Sequence, residues 1–318
     1  MIAALLVSAA TAVHAPLPAP PLAMTVASTV DDGHATEWPK ADDSAKLKRS
    51  ISKLRKARNE AMESAGREEI AAAGPAAAPI LLKALAKEKD AETRERLSEA
   101  LDSVTTKEHT RLLAELFDDK SIAVSRYSVR RVAMLGDAGL REQAEARYAG
   151  LEEADGDPKA KRKPEPIDFD LAAVLCMSTG SAKGFDRVLA LAEIEPWQEW
   201  RGVLIPAARS ASGSKEILTE ISRVVRDARN EDDYGGPGTM ASAPAHVAGL
   251  HLITYVGTKE NARFITFSLD NQQNDIQVAA INACRVMVDG DEPLEKLSTS
   301  DAMKRAGAWK KRLASLGR

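Results

Sequence analysis

Residues 122–137, IAVSRYSVRRVAMLGD, decide the fold of this chain, because residues 276–291, IQVAAINACRVMVDGD, repeat their pattern. An Ile, two Val, an Arg and a closing Gly-Asp dipeptide fall at equivalent positions in the two copies. The apolar residues recur at helical spacing, and a glycine after such a run commonly ends the helix in the left-handed conformation. Each copy therefore predicts a helix that ends at its glycine.

The closing dipeptide recurs through the chain, and its positions are Gly136-Asp137, Gly180-Ser181, Gly213-Ser214, Gly257-Thr258 and Gly290-Asp291. The spacings alternate between 44 and 33 residues. An Asp, Ser or Thr after the glycine is suited to cap the next helix. Five helix–turn–helix joints in near-register predict an all-α chain built as a helical repeat array.

The composition suits packed helices and narrows the classes of partner. The 318 residues are 44% hydrophobic but only 4% aromatic, and Ala is abundant, which favours closely packed helices over sheets. A net charge of −3 is too small to indicate a polyanion or a membrane surface as partner. No stretch is long and apolar enough to predict a membrane span.

Residues 1–23 have the pattern of a secretory signal peptide, with an apolar run at 2–7 followed by small residues. A cleavage site is offered after Ala15, with a cut after Ala23 as the alternative. Two features oppose this interpretation: no Lys or Arg occurs before Lys40, and Pro16 would directly follow a cut after Ala15. The alternative is that Met24 is the true start. We therefore expect an exported protein, periplasmic or secreted, if the segment is a signal peptide, and a cytoplasmic one otherwise. Residues 24–43 predict a flexible leader.

A single basic helix is predicted to begin at Ser44. Its apolar stripe has helical spacing and consists of Leu47, Ile51, Leu54, Ala61 and Ala65. The last helix, 301–316, has a polar outer side. These two helices are expected to cap the ends of the array, as the terminal units of repeat proteins do.

Residues 70–101 resemble a HEAT repeat of the short, phycobilisome-lyase-like kind. The matching elements are Gly74-Pro75 at the joint, the apolar run Ile80/Leu81/Leu85, Asp90 in the turn and Arg94 opening the second helix. The resemblance implies antiparallel helix pairs stacked into an α-solenoid over 44–318, a fold that usually serves as a scaffold or adaptor. The family's Arg is replaced in the two similar copies, by Ala123 and Gln277.

The joints predict about six helix pairs. The first helices are expected near 75–88, 107–117, 140–153, 183–194, 215–229 and 260–270. The second helices are expected near 91–104, 122–135, 167–179, 197–211, 244–256 and 275–289.

The two 44-residue spacings between joints each contain an insertion. Residues 154–166 are inserted in the third pair and residues 230–243 in the fifth. Turns within pairs emerge along one edge of a solenoid, so both insertions are expected on one rim. Repeat proteins commonly bind their partners through extra loops on one face, which predicts a partner site on this rim. The alternative is that both loops are surface insertions that the fold tolerates. The candidate partner-binding residues are Lys161, Arg162, Lys163, Asp232, Asp233 and Tyr234.

Trp197 and Trp200 lie three residues apart and are expected on one face of a helix. Exposed, they would anchor a partner; buried, they would pack between adjacent repeats. His246 and His251 have no neighbouring ligand pattern for a metal and are expected in the core or on the surface. Cys176 and Cys284 lie three repeats apart, too far for a disulfide, and are expected to be buried apolar residues.

A non-catalytic protein–protein interaction scaffold or adaptor is the function that these patterns favour. The alternatives are a nucleic-acid-binding solenoid and a lyase-like or chaperone-like HEAT enzyme relative. The six predicted second helices carry a combined charge of −1, and only Arg126, Arg130 and Arg131 cluster, which disfavours a basic groove. No acid, base and nucleophile set and no cofactor or metal motif is visible, so we predict a protein partner, no cofactor and no enzyme.

Overall fold

The computed structural model describes residues 33–160, 162–227 and 243–316, and within these ranges the chain is all-helical, without strands. The α-helices are α1 Ser44–Arg55, α2 Glu60–Ala71, α3 Ala78–Leu85, α4 Ala91–Val104, α5 Thr110–Ala114, α6 Ile122–Leu135, α7 Arg141–Gly156, α8 Pro166–Ser178, α9 Phe185–Leu191, α10 Ile194–Ser210, α11 Lys215–Asp227, α12 Ala243–Val256, α13 Asn274–Cys284 and α14 Thr299–Ser315. Short 3₁₀ helices precede α3, α5 and α7, a longer one covers Lys259–Asp270, and Arg285–Asp289 forms a π-helix. The prediction of an all-α chain is confirmed.

Side-chain caps explain where several helices begin. Asp43 and Asn59 accept hydrogen bonds from the backbone N–H groups of Lys46 and Met62, at 2.7 and 2.9 Å. Because an N-terminal cap starts a new helix, Asn59 splits the predicted single basic helix into α1 and α2. That prediction of one helix was wrong. Asp90, part of the HEAT-like pattern, caps α4 through the N–H of Thr93 at 2.8 Å.

The glycine joints have the predicted conformation at most positions. A positive φ, between 64° and 84°, is found at four of them: Gly136, Gly180, Gly213 and Gly290. Gly257 differs, since its φ is not positive. A side chain there would overlap the sulfur of Met287 and the carbonyl oxygen of Ile253. This glycine therefore allows a close approach of two helices and does not form a left-handed turn.

Helices that follow each other in the chain pack as pairs, α1 with α2, α3 with α4, α5 with α6, α7 with α8, and α11 with α12. The 3₁₀ helix Lys259–Asp270 packs on α13, and α14 covers both. Helices that are distant in the chain also pack together, as α10 does with α6, α8 and α12. The buried apolar side chains form one continuous core from α1 to α14, with Leu101, Leu175 and Leu204 fully buried.

Residues 33–43, the described part of the predicted leader, contact the helices at defined points. The N–H of Ala35 donates to the carbonyl of Glu108 at 2.8 Å, and Trp38 stacks on His109 with ring centroids 5.1 Å apart. The His34 ring lies 3.4 Å from the Asp137 carboxylate. Composition predicted a leader but not these contacts, since each partner comes from a distant part of the chain.

Cys176 and Cys284 are free and buried, as expected from their positions in the repeats. Burial raises the pKa of each thiol to about 12, so both side chains act as small apolar residues of the core. Among the described helices, none has the length and apolar character to cross a bilayer.

Candidate functional site

Two recesses adjoin α10, and each contains one of the predicted tryptophans. Trp197 stacks on His251 of α12, with ring centroids 4.9 Å apart. Trp200 faces α6 and α8 instead, where it lines a recess with Tyr127 and Leu171. Residues three apart differ by about 60° around a helix, which is close enough to share a face, yet the helices packed around α10 place the two rings in different recesses.

The recess around Trp200, here called the second-helix groove, lies between α4, α6, α8, α10 and the end of α3 and has a volume of about 450 Å³. Trp200 is half-buried in it. The apolar lining consists of Leu85, Ala91, Ala123, Ile167, Leu171 and Val203. A partly exposed Trp among apolar side chains is the composition of an anchor point for a protein partner.

Two of the three arginines that line the second-helix groove, Arg126 and Arg130, bond to carboxylates of the same chain. Arg126 donates from Nε to Asp168 at 2.6 Å, and Arg130 donates from Nη2 to Asp102 at 2.8 Å. Glu199 also lines the groove and is exposed. Here the edge presents paired charges of both signs, which weakens attraction to a polyanion.

Asp168, at the start of α8, joins this groove to the loop 157–165. Arg126 and Arg162 both donate to its carboxylate, the latter at 3.0 Å, and the N–H of Glu165 donates at 2.9 Å. Burial raises the pKa of Asp168, but the hydrogen bonds from Arg126 and Glu165 outweigh it and leave the pKa below its ordinary value. The ionised carboxylate therefore ties the loop to α6.

The first predicted insertion is shorter than expected, because α7 continues to Gly156 and leaves only 157–165 as a loop. Its described basic residues bond within the chain. Arg162 bonds to Asp168, and the Lys163 ammonium donates to carbonyl oxygens at the end of α7, among them that of Asp157 at 2.9 Å. The last carbonyl oxygens of a helix have no N–H donor within the helix, so the Lys163 ammonium provides the hydrogen bonds that they lack.

The remaining predicted rim residues lie outside the described part of the chain: Lys161, Asp232, Asp233 and Tyr234. The second insertion, 230–243, falls almost entirely in the same undescribed range, and α12 begins at Ala243. The rim therefore stays a prediction for these positions.

We expect Asp168→Asn to lower the free energy of unfolding by about 2 kcal/mol, because two guanidinium groups would then face a neutral partner in a largely buried site. Asp170→Asn is the matched control on the same helix. Its ion pair with Arg187 is more exposed, so we expect a loss of less than about 1 kcal/mol. Urea denaturation of both variants measures the difference, and equal losses would contradict the assigned role.

The second recess, here called the aromatic cleft, lies between α10, α12, α13 and residues 293–297 and has a volume of about 600 Å³. Trp197 stacks between His251 and Tyr255 along its wall. Burial lowers the pKa of His251, although the hydrogen bond to the Ala192 carbonyl opposes the shift. The ring is therefore neutral near pH 7 and serves as part of an aromatic wall.

The buried histidine of α12 is structural. His246 is fully buried and shares a hydrogen bond with the Ser268 hydroxyl at 2.9 Å, and burial lowers the pKa of its ring to about 4. Within residues 33–160, 162–227 and 243–316, no three His, Cys, Asp or Glu side chains converge in a way that could hold a metal ion.

Comparison of this chain with family models, with curated proteins and with solved structures found no match. The groove and the cleft must therefore be interpreted from their own geometry. Sequence reasoning had noted Arg126 and Trp200 separately, and it missed Asp168, which links the groove to the loop. The available signal was an acidic residue just inside a helix start, directly after a basic loop.

Proposed function

We propose that this protein is a non-catalytic interaction scaffold, a HEAT-like α-solenoid that binds a protein partner in the second-helix groove. One observation carries the proposal: Trp200 stands half-buried in an apolar groove formed by five helices. Sequential helix pairs along most of the chain support the solenoid. The resemblance of residues 70–101 to a HEAT repeat supports the family.

The groove is suited to an apolar side chain of a partner. Trp, Tyr and Arg dominate the binding energy of protein interfaces, because they bury large areas in desolvated pockets. Trp200 has Tyr127 and Arg126 beside it in the groove. A partner residue inserted there would complete the burial of the indole ring and leave the existing ion pairs at the rim.

The loop 157–165 borders this groove in the proposal. Arg162 of the loop and Arg126 of the groove share the carboxylate of Asp168. The predicted rim residues Lys161 and Lys163 belong to the same loop.

The two alternative functions have less support. A nucleic-acid groove needs free cations along its path, whereas Arg126 and Arg130 already bond to Asp168 and Asp102. An enzyme needs a nucleophile or an acid–base pair with access to a substrate. The groups with strongly shifted pKa values, the thiols of Cys176 and Cys284 and the ring of His246, are all buried in the core.

We expect Trp200→Ala to weaken binding of the partner by about tenfold or more, because truncation of a central Trp removes most of the buried area of an anchor. Affinity capture from the native source with the intact protein would supply the partner, and calorimetry would measure its affinity for each variant. Phe264→Ala is the matched control. Phe264 is an exposed aromatic residue of the 3₁₀ helix Lys259–Asp270, outside the groove.

The proposal predicts that a captured protein binds the intact chain and Phe264→Ala equally, and Trp200→Ala much more weakly. Equal affinity for all three would exclude the second-helix groove as the binding site. Because Trp200 is only half-buried, its variant is expected to retain the far-ultraviolet circular dichroism of the intact protein.

A further inference from the structure

An extended segment follows α13 and runs back along it. Residues 291–297, here called the strap, have no helical structure and lie between the last two predicted helices, 275–289 and 301–316. Asn282 of α13 holds the strap at Leu294 with both ends of its side-chain amide. Its Nδ2 donates to the Leu294 carbonyl at 2.9 Å, and its Oδ1 accepts from the Leu294 N–H at 2.8 Å.

Two further side chains of the same helix and its π-helical end contact the strap backbone. Arg285 donates from Nε to the Glu292 carbonyl at 3.3 Å, and Asn274 donates from Nδ2 to the Leu297 carbonyl at 3.4 Å. Among the described residues, the strap backbone from 292 to 297 makes no backbone–backbone hydrogen bond. Side chains of one helix face therefore hold an extended main chain.

The order of these contacts shows a regular register. Positions 274, 282 and 285 lie within about 80° of one another around the helix, since 11 residues make about three whole turns and 8 residues about 2.2 turns. Their strap partners follow in the opposite chain direction, from Leu297 to Leu294 to Glu292. Asn and Arg side chains that bond to peptide groups recognise an extended backbone largely independently of its sequence.

Side chains of the strap add selectivity. Pro293, Leu294 and Leu297 are half-buried, while Glu295 and Lys296 are exposed. Asp291 pairs with Arg285 at 3.1 Å. The face of α13 therefore matches a segment with an acidic residue, a Pro-Leu pair and a second Leu three positions after the first, as in Asp291, Pro293-Leu294 and Leu297. The aromatic cleft lies directly beyond the strap and is lined by it.

We propose that this face of α13 is a binding surface for an extended acidic, Pro-Leu-containing segment of a partner protein, and that the strap occupies it in the free protein. A partner segment would replace the strap on Asn274, Asn282 and Arg285 and gain contacts with Trp197 in the cleft. The strap is displaceable because a few side-chain hydrogen bonds hold it, each of modest net strength. This surface is separate from the second-helix groove and does not depend on it.

The π-helical end of α13 supports the assignment. Residues Arg285–Asp289 form a π-helical turn, which contains one residue more than an α-helical turn. The Arg285 side chain that contacts the strap lies on this turn. Such π turns concentrate at functional sites, because they re-aim side chains at the cost of regular helix geometry. Asp289 of the same turn is fixed by Arg312 of α14 at 2.7 Å.

The test uses a fluorescein-labelled peptide of sequence GDEPLEKLS, which copies residues 290–298, and two forms of the full chain. In one form, residues 292–297 are replaced by an alternating Gly-Ser sequence of the same length. We expect saturable binding to this form and at least about tenfold weaker binding to the intact chain, whose own strap competes. Fluorescence anisotropy measures both.

Asn282→Ala in the Gly-Ser form is expected to weaken the peptide by at least about tenfold, because two hydrogen bonds to one peptide group are lost. Gln272→Ala, an exposed residue just before α13, is the matched control and is expected to bind normally. A folded Gly-Ser form that does not bind the peptide would overturn the proposal, as would equal binding by Asn282→Ala.

Hydrogen exchange on the intact protein decides the matter if the Gly-Ser form fails to fold. We expect the Leu294 amide to exchange at least about a hundredfold faster than that of Ile281, a buried residue of α13, because the strap opens without global unfolding. Equal protection of the two amides would show that the strap cannot leave and would overturn the proposal. Neither result depends on Trp200.

Discussion

Gly136→Ala is expected to lower the free energy of unfolding by about 3 kcal/mol, the largest effect predicted for a single methyl group in this chain. Gly136 ends α6 with a φ of 64°, a conformation that costs L side chains free energy. A Cβ at this position would also overlap the Cβ and Oγ of Ser210, at the end of α10. The two costs have separate causes, strain in the turn and collision between helices.

Gly213→Ala separates these causes. Gly213 has a similar φ of 77°, yet no atom lies within 4 Å of the position its Cβ would take. Its substitution is therefore expected to cost about 1 kcal/mol, the conformational part alone. Urea denaturation followed by circular dichroism measures both variants.

A second substitution isolates the collision. In Gly136→Ala with Ser210→Gly, the overlapping atoms are gone, so we expect the double variant to recover most of the collision cost but not the cost of the positive φ. Equal destabilisation by Gly136→Ala and Gly213→Ala would show that α6 and α10 do not meet at this point.

We expect the protein to lose about 2 kcal/mol of stability from His246 alone between pH 7 and pH 5. Burial lowers the pKa of the folded-state ring to about 4, whereas the ring of the unfolded chain titrates near 6.5. Between these two pKa values the unfolded state binds more protons, so stability is complete above about pH 6.5 and falls as the pH drops toward 4.

Two variants test this assignment by urea denaturation at pH 7 and pH 5. His246→Asn removes the titrating ring and should make the loss between the two pH values smaller by about 2 kcal/mol. Ser268→Ala removes the hydrogen-bond partner but leaves the ring buried, so the pH dependence should stay that of the intact protein. An unchanged pH dependence in His246→Asn would disprove the role of this ring.

Local patterns predicted the helices well where capping and periodicity agree. The intervals 91–104 and 122–135 coincide with α4 and α6. The predicted long first helix failed because Asn59 caps a new helix in the middle of a continuous apolar stripe. The prediction of a left-handed turn at Gly257 was wrong, because a single sequence does not distinguish a glycine needed for close approach from a glycine needed for a turn.

The candidate sites depended on contacts between distant residues. Trp197 and Trp200 were visible in the sequence, but their separation into two recesses follows from the helices that surround α10. Asn274 and Asn282 carry an available signal, two amide side chains eight residues apart on a largely apolar helix. Their partner, the strap, lies between the predicted helices 275–289 and 301–316, and no local pattern indicates that it folds back on α13.

The sequence by itself determined that the chain is helical, where most helices start and stop, and four of the glycines that adopt a positive φ. These properties depend on hydrogen bonds and torsions within a few residues. The tertiary structure decided that the ends of α6 and α10 meet at Gly136 and Ser210, that Asp168 binds two arginines, and that the strap lies on α13. These contacts join residues from 6 to 74 positions apart, and the summed packing of the whole array, which no local pattern records, fixes them.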